Sequence, residues 1–238
     1  MRRMQVDPWI ATGVACSIML LGSGSSNLIW AFQVSLNLSV VFGLAQLLLS
    51  DHDGDVGRRD LAAVAVAIVG LMTTSIMVAM VIGVGTAVLI RRGWKAAAVQ
   101  TVLPGSVYLV WVITSSSGSS GGDLFEPVQF FVNLHRAVFT GLGQNPVSAL
   151  LVALTIAAGG ALVVAAIRRN RASGTAAIGS ALAVAWLSFA LLVTWSRSGF
   201  GLLGNDQSAA PRYVHIGVVL LAPLIALAID RARSLHPA

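Results

Sequence analysis

Apolar residues run in long uncharged stretches along this chain, and the polar residues gather between them. No Asp, Glu, Lys or Arg lies between Asp7 and Asp51, Asp60 and Arg91, or Lys95 and Asp123. The same holds from Arg136 to Arg168, from Arg171 to Arg197 and from Arg212 to Asp230. Each window has room for the roughly 20 residues with which a helix crosses a bilayer. A charge at the centre of such a helix costs roughly 2.5–3.5 kcal/mol on insertion scales. Long gaps between short charged clusters are what that cost predicts. A backbone in lipid must satisfy its own hydrogen bonds, so the stretches are predicted helices.

The punctuation between windows sets the elements. The first window holds two predicted spans, 9–21 and 28–49, joined by a Gly/Ser turn at 22–26, and a polar loop at 51–60 follows. The stretch 61–90 is awkwardly long for one span and carries Thr73-Thr74-Ser75 near its middle, where a re-entrant turn fits. Further spans are predicted at 96–114, kinked by Pro104, at 147–167, opened by Pro146, at 175–195 and at 213–229. Loops lie at 115–122 and 196–211. Residues 128–142 set Val128, Phe131, Leu134, Val138 and Leu142 at helical spacing, interrupted by Asn133, His135 and Arg136. That pattern predicts an amphipathic helix lying in the interface. The predicted architecture is all-α: one membrane-embedded bundle over 1–238, with about six full spans plus a hairpin or re-entrant pair at 61–90.

Composition enters only to exclude alternatives. With 56% hydrophobic and 10% charged residues, against about a quarter charged in soluble domains, the chain cannot cover itself for water. Lipid is its expected surroundings. The net charge of +6 does not point to nucleic acid, because the basic residues flank apolar runs, where they suit anionic headgroups.

Their positions also orient the chain. Place the N-terminus in the cytoplasm and fold 61–90 as a hairpin. The cytoplasmic side then receives Arg2, Arg3, Arg58, Arg59, Arg91, Arg92, Lys95, Arg168, Arg169, Arg171, Arg231 and Arg233, 12 of the 15 Lys and Arg. Only Arg136, Arg197 and Arg212 fall outside. A single long helix at 61–90 breaks this agreement, so the positive-inside bias argues for a hairpin or re-entrant pair. Arg2 and Arg3 before an apolar run have the order of a signal peptide. The run leads through the Gly/Ser turn into more apolar sequence, so it is read as a retained first span. The single cysteine, Cys16, can form no intrachain disulfide and is read as a small packing residue.

Candidate chemistry is sparse. HExxH, GxSxG, P-loop and paired CxxC motifs are missing, and no metal or cofactor is expected. Asp123 and Glu126, three residues apart, are a candidate acid–base pair or simply a solvated loop. Arg212 stands beside Tyr213 at the mouth of the last span, on the side poor in positive charge. It could grip a phosphate bidentately or snorkel beside an interfacial tyrosine. Arg197 offers the same chemistry. His135 and His215 have no partner at ligand spacing and read as polar packing residues. Trp30, Gln33 and Asn37 share one helix face, whose amides need partners inside the bundle. Asp51, Asp53 and Asp55 with Gly54 and Gly57 look like the start of a calcium loop. Ala62 occupies the twelfth position, where a glutamate belongs, so the segment reads as a solvated turn.

The stretch Gly22-Ser23-Gly24-Ser25-Ser26-Asn27-Leu28-Ile29-Trp30-Ala31-Phe32-Gln33, leading into Gly43-Leu44, resembles part of large actinobacterial polytopic membrane proteins. Those are loosely related to glycosyltransferases of the C superfamily, which use polyprenyl-phosphate sugars. Trp94, Pro104, Tyr108 and Trp111, and Pro211-Arg212-Tyr213 with Pro223, are similar to the same group. The resemblance implies a cell-envelope transferase of the cell membrane that takes a sugar from a lipid-phosphate donor on the outer face. Arg212, Tyr213 and Arg197 would hold phosphate, with Trp30 and Gln33 as further substrate-binding candidates. Such enzymes place a catalytic or metal-binding aspartate in a large first outer loop. Here that loop, 22–27, carries no carboxylate. The chain therefore resembles the later, lipid-handling half of such a protein, with a companion membrane chain as one source of the missing aspartate. The alternatives are a non-catalytic multi-pass subunit and a transporter or flippase. The last is less in keeping with spans that lack carboxylates, lysines and arginines.

Overall fold

The computed structural model describes residues 1–22, 34–115, 125–170, 173–197 and 207–235. Among them the chain forms α1 (Pro8–Met19), α2 (Val34–Ser50), α3 (Arg58–Thr73), α4 (Met77–Arg92) and α5 (Trp94–Ser115). It continues through α6 (Phe125–Gly143), α7 (Pro146–Arg169), α8 (Gly174–Arg197) and α9 (Pro211–Leu235), with 3-10 turns at Arg2–Met4 and Gln207–Ala209. No strand occurs among the described residues. Four helices, α5, α7, α8 and α9, are long and apolar enough to cross a membrane, while α1 and α2 are shorter apolar helices. The protein is thus all-helical with the build of an integral membrane protein.

Local chemistry starts and stops the helices where the sequence indicated. Pro8, Pro146 and Pro211 open α1, α7 and α9, at the position where a missing N–H costs nothing. Asp7 accepts the Trp9 N–H at 2.8 Å, and Asn145 accepts that of Ser148 at 2.9 Å, each satisfying an amide the helix leaves open. Gly93, at φ 88°, ends α4 with its N–H on the Leu89 carbonyl at 3.2 Å. The left-handed conformation is natural to glycine and turns the chain at once into α5.

The stretch 58–92 is two helices, broken at Thr74, whose backbone is extended. The far ends of the pair meet, since Arg92 Nη1 lies 2.6 Å from Asp60 Oδ1. α3 and α4 therefore run antiparallel, each about 24 Å long at 1.5 Å per residue, with their tip at 74–76. Ser39 of α2 reaches Thr73 near that tip, hydroxyl to hydroxyl at 3.0 Å.

α8 runs through the middle of the bundle. Every residue from Ala176 to Leu182 is buried, as are Ala185, Trp186, Phe189, Ala190, Val193 and Thr194. α4 packs most extensively against it. A Cβ at Gly83 would overlap the carbonyl oxygen of Ala181, so the two backbones touch, as small residues permit between membrane helices. α7 meets α9 the same way, with Gly159 against the Leu224 carbonyl. Among the four long helices, α5 and α7 lie outermost. Their exposed Leu103, Val110, Trp111, Leu150 and Leu154 are apolar because their solvent is lipid.

Two expectations need correction. Cys16 is exposed. α1 buries no residue and packs chiefly on α9, leaving Cys16 off the packed side. In α6 Leu134 and Val138 are buried and Phe131 and Leu142 pack against the core as predicted, but Val128 is 62% exposed and Phe130 is buried in its place at that end of the stripe. Of the twelve basic residues grouped above on one predicted side, all but Arg171, which lies outside the described residues, stand on segments that meet at one end of the bundle. Arg3 contacts Asp51, Thr175 donates to Met4 O at 3.1 Å, and Arg233 pairs with Asp7 at 3.2 Å. The Asp7 amide also donates to Asp230 at 3.1 Å.

Candidate functional site

Three features carry polar chemistry. The first is at the end opposite the basic residues. Arg212, in the first turn of α9, donates from Nη2 to Gln207 Oε1 at 3.0 Å. Its guanidinium carbon lies 4.8 Å from the centre of the Tyr213 ring. A cation so placed gains from the ring quadrupole and loses freedom. Tyr213 is buried and leads inward through Phe189, at 6.2 Å between ring centres, and Trp186 to His135. The His135 Nδ1 is 2.8 Å from the Phe131 carbonyl, so this histidine serves packing, as expected. Arg212 and Tyr213 lie together, and Arg197 stands exposed in the last turn of α8. Trp30, Gln33 and Asp123 lie outside the described residues, and Glu126 is described only by its backbone in α6.

The second feature is a buried ionic cluster that the sequence reading missed. Asp60, fully buried in the first turn of α3 just ahead of the apolar stretch, takes two hydrogen bonds from Arg92, at 2.6 and 3.1 Å. Such a two-pronged pair fixes direction as well as distance. Asp60 also accepts the Gly57 N–H at 3.0 Å. His52 Nε2 sits 3.2 Å away without hydrogen-bond alignment. Gln100 of α5 donates to Asp60 at 3.2 Å, and Gln46 of α2 donates to Gln100 at 3.3 Å. Four helices are thus knotted through one carboxylate. Burial disfavours its charge, but the hydrogen bonds from Arg92 and Gly57, with the positive charge beside them, outweigh that and hold the carboxyl at about 2.

Asp51 corrects the expectation of a solvated turn. Its side chain is 6% exposed and contacts both Arg3 and Arg91. Arg91 also reaches Asp53 at 3.1 Å, and Asp53 is open to solvent. Arg92 holds the Gly54 and Asp55 carbonyls at 3.1 and 3.2 Å. The acidic turn is folded over the arginines of α4 rather than wrapped on a cation. A signal for this was present: Asp60 stands three residues after Gly57 and directly before an apolar run, the helix position from which an acid reaches back to a free amide. Gln46 and Gln100, amides inside apolar runs, were further hints.

The third feature is a pair of cavities that share Arg3. One, of about 610 Å³, is a groove among α1, α2, α8 and α9, lined by side chains including Ile18, Leu44, Leu48, Leu182, Val219 and Pro223. That volume falls within the roughly 300–1,000 Å³ of small-molecule sites. The other, of about 490 Å³, is polar and lined by Arg3, Asp51, His52, Asp53, Arg59, Arg91 and Gly174. No family model matches this sequence, and no curated protein or solved structure is significantly similar to it.

Proposed function

We propose that this chain is a multi-pass protein of the cell membrane that handles lipid, holding one hydrocarbon chain in the groove among α1, α2, α8 and α9. The carrying observation is the groove itself: it is apolar along its length, reaches about 610 Å³ and meets a guanidinium only at Arg3. An amphipathic molecule matches that polarity and water does not. In this reading α1 and α2 complete about six spans, the α3–α4 hairpin enters from the cytoplasmic side, and the N-terminus is cytoplasmic. Twelve of the fifteen basic residues then obey the positive-inside bias.

Ala15→Trp and Leu44→Trp place bulk in the groove from two exposed positions. Purified wild type should keep about one lipid per chain through detergent exchange, read by native mass spectrometry, and the doubly substituted protein should lose it. Equal retention in both would overturn the reading.

A second reading keeps the resemblance to polyprenyl-phosphate-sugar transferases. Arg212, steadied by Gln207 and Tyr213, is suited to hold a donor phosphate at the outer face, with Asp123 or Glu126 or a companion chain supplying the base. Arg212→Ala should then abolish sugar transfer to lipid-linked acceptors in membranes while the protein remains inserted. Unchanged transfer would leave a non-catalytic membrane subunit.

A further inference from the structure

We propose that the polar cavity beyond the groove is the headgroup site of an anionic phosphodiester lipid, one whose phosphate charge no headgroup cation offsets, with Arg59 taking the phosphate; this rests on the groove reading above. The argument is one of charge and position. Three guanidiniums, those of Arg3, Arg59 and Arg91, line this cavity against two carboxylates, Asp51 and Asp53. Arg3 and Arg91 both contact Asp51, and Arg91 also meets Asp53. Arg59 has no carboxylate within ion-pair distance among the described residues; its Nη2 lies 3.5 Å from the Leu48 carbonyl.

Leu48 lines the groove. Arg59, the guanidinium of this cavity without a carboxylate partner among the described residues, therefore lies on the backbone of Leu48 at the border between the groove and the polar chamber, where the phosphate of a lipid seated in the groove would fall. One surplus charge matches the single negative charge of a phosphodiester. A phosphomonoester would bring a further negative charge against Asp51 and Asp53. Asp53, 85% exposed across the chamber, can only accept hydrogen bonds when ionised. It therefore favours a headgroup that carries hydroxyls beyond the phosphate.

Full-length protein is reconstituted in vesicles of phosphatidylcholine alone, or of phosphatidylcholine with a tenth of phosphatidylglycerol or of phosphatidic acid. Retained lipid is then read by native mass spectrometry after detergent exchange. Phosphatidylglycerol should be enriched over its share of the vesicle, and phosphatidic acid less so. Arg59→Gln should remove that enrichment by about tenfold, the worth of one charge-assisted contact, with phosphatidylcholine still held, and Arg59→Lys should restore part of it. Arg59 is exposed, so these variants leave the fold intact. Soluble glycerophosphoglycerol, the head without its chains, should not displace the lipid; displacement would mean the chamber binds a free phosphodiester and would overturn the lipid assignment. Lipid retained without preference would overturn the headgroup site and leave the groove reading standing. No lipid retained in any vesicle would remove both.

Discussion

Asp60 and Arg92 show how a charge enters a largely apolar bundle: in a pair, with every neighbour chosen to share it. Breaking a buried pair leaves one uncompensated charge and typically costs about 3–5 kcal/mol, whereas replacing both members by apolar groups is often tolerated. Asp60→Asn or Arg92→Met alone should therefore lower the unfolding temperature in detergent sharply, and the double substitution should recover most of the loss. Additive losses would mean the two side chains contribute independently. This pair was hidden in the sequence by its position. Asp60 closes a run of polar residues, and adjacency to a loop says nothing about burial. Arg92 sits beside Arg91 and Lys95 in a basic cluster whose topological meaning masked its private partner. Gln46 and Gln100 lie in apolar runs, which tells that they need a partner but not that the partner is each other.

At the scale of elements, the helix boundaries were legible because two physical costs wrote them. The cost of charge in lipid set the windows that became α5, α7, α8 and α9, and the missing proline N–H marked three of the helix starts. The α3–α4 break was legible through arginine placement before any local turn signal. What the windows could not convey was which faces touch. Gly83 and Gly160 are both glycines in apolar helices, yet a Cβ on the first would strike the Ala181 backbone and one on the second would find nothing within 4 Å. Gly83→Leu should therefore separate α4 from α8 and deplete folded protein, beyond the roughly 1–3 kcal/mol usual for overpacking. Gly160→Leu should leave yield and elution volume in size-exclusion chromatography unchanged. Similar losses in both would argue that helix content, not contact, limits the fold.

For the whole molecule, the distribution of charge predicts which face is which. In a Cys16→Ser background, a cysteine at exposed Ser75 should react with an impermeant maleimide added outside intact cells. One at exposed Asp55 should react only after the cells are opened. The reverse pattern would invert the bundle, and labelling of both from one side would break the hairpin assignment. Of the candidate sites, the Arg212–Tyr213 pair was readable from adjacency alone. The groove was not, because it is made by α1 lying on α9, elements at opposite ends of the sequence.

That last contact has a consequence for synthesis. The main partner of α1 among the described helices is α9, and Asp7 is clasped by Asp230 and Arg233. Ribosomes add about 5–20 residues per second, so α1 leaves the ribosome roughly ten to forty seconds before its neighbour exists. Through that interval the first helix is a tenant of the bilayer or of the insertion machinery, and the groove has only part of its wall. The side of the bundle that α1 covers stays open until α9 is made, and a chain terminated before Pro211 keeps it open.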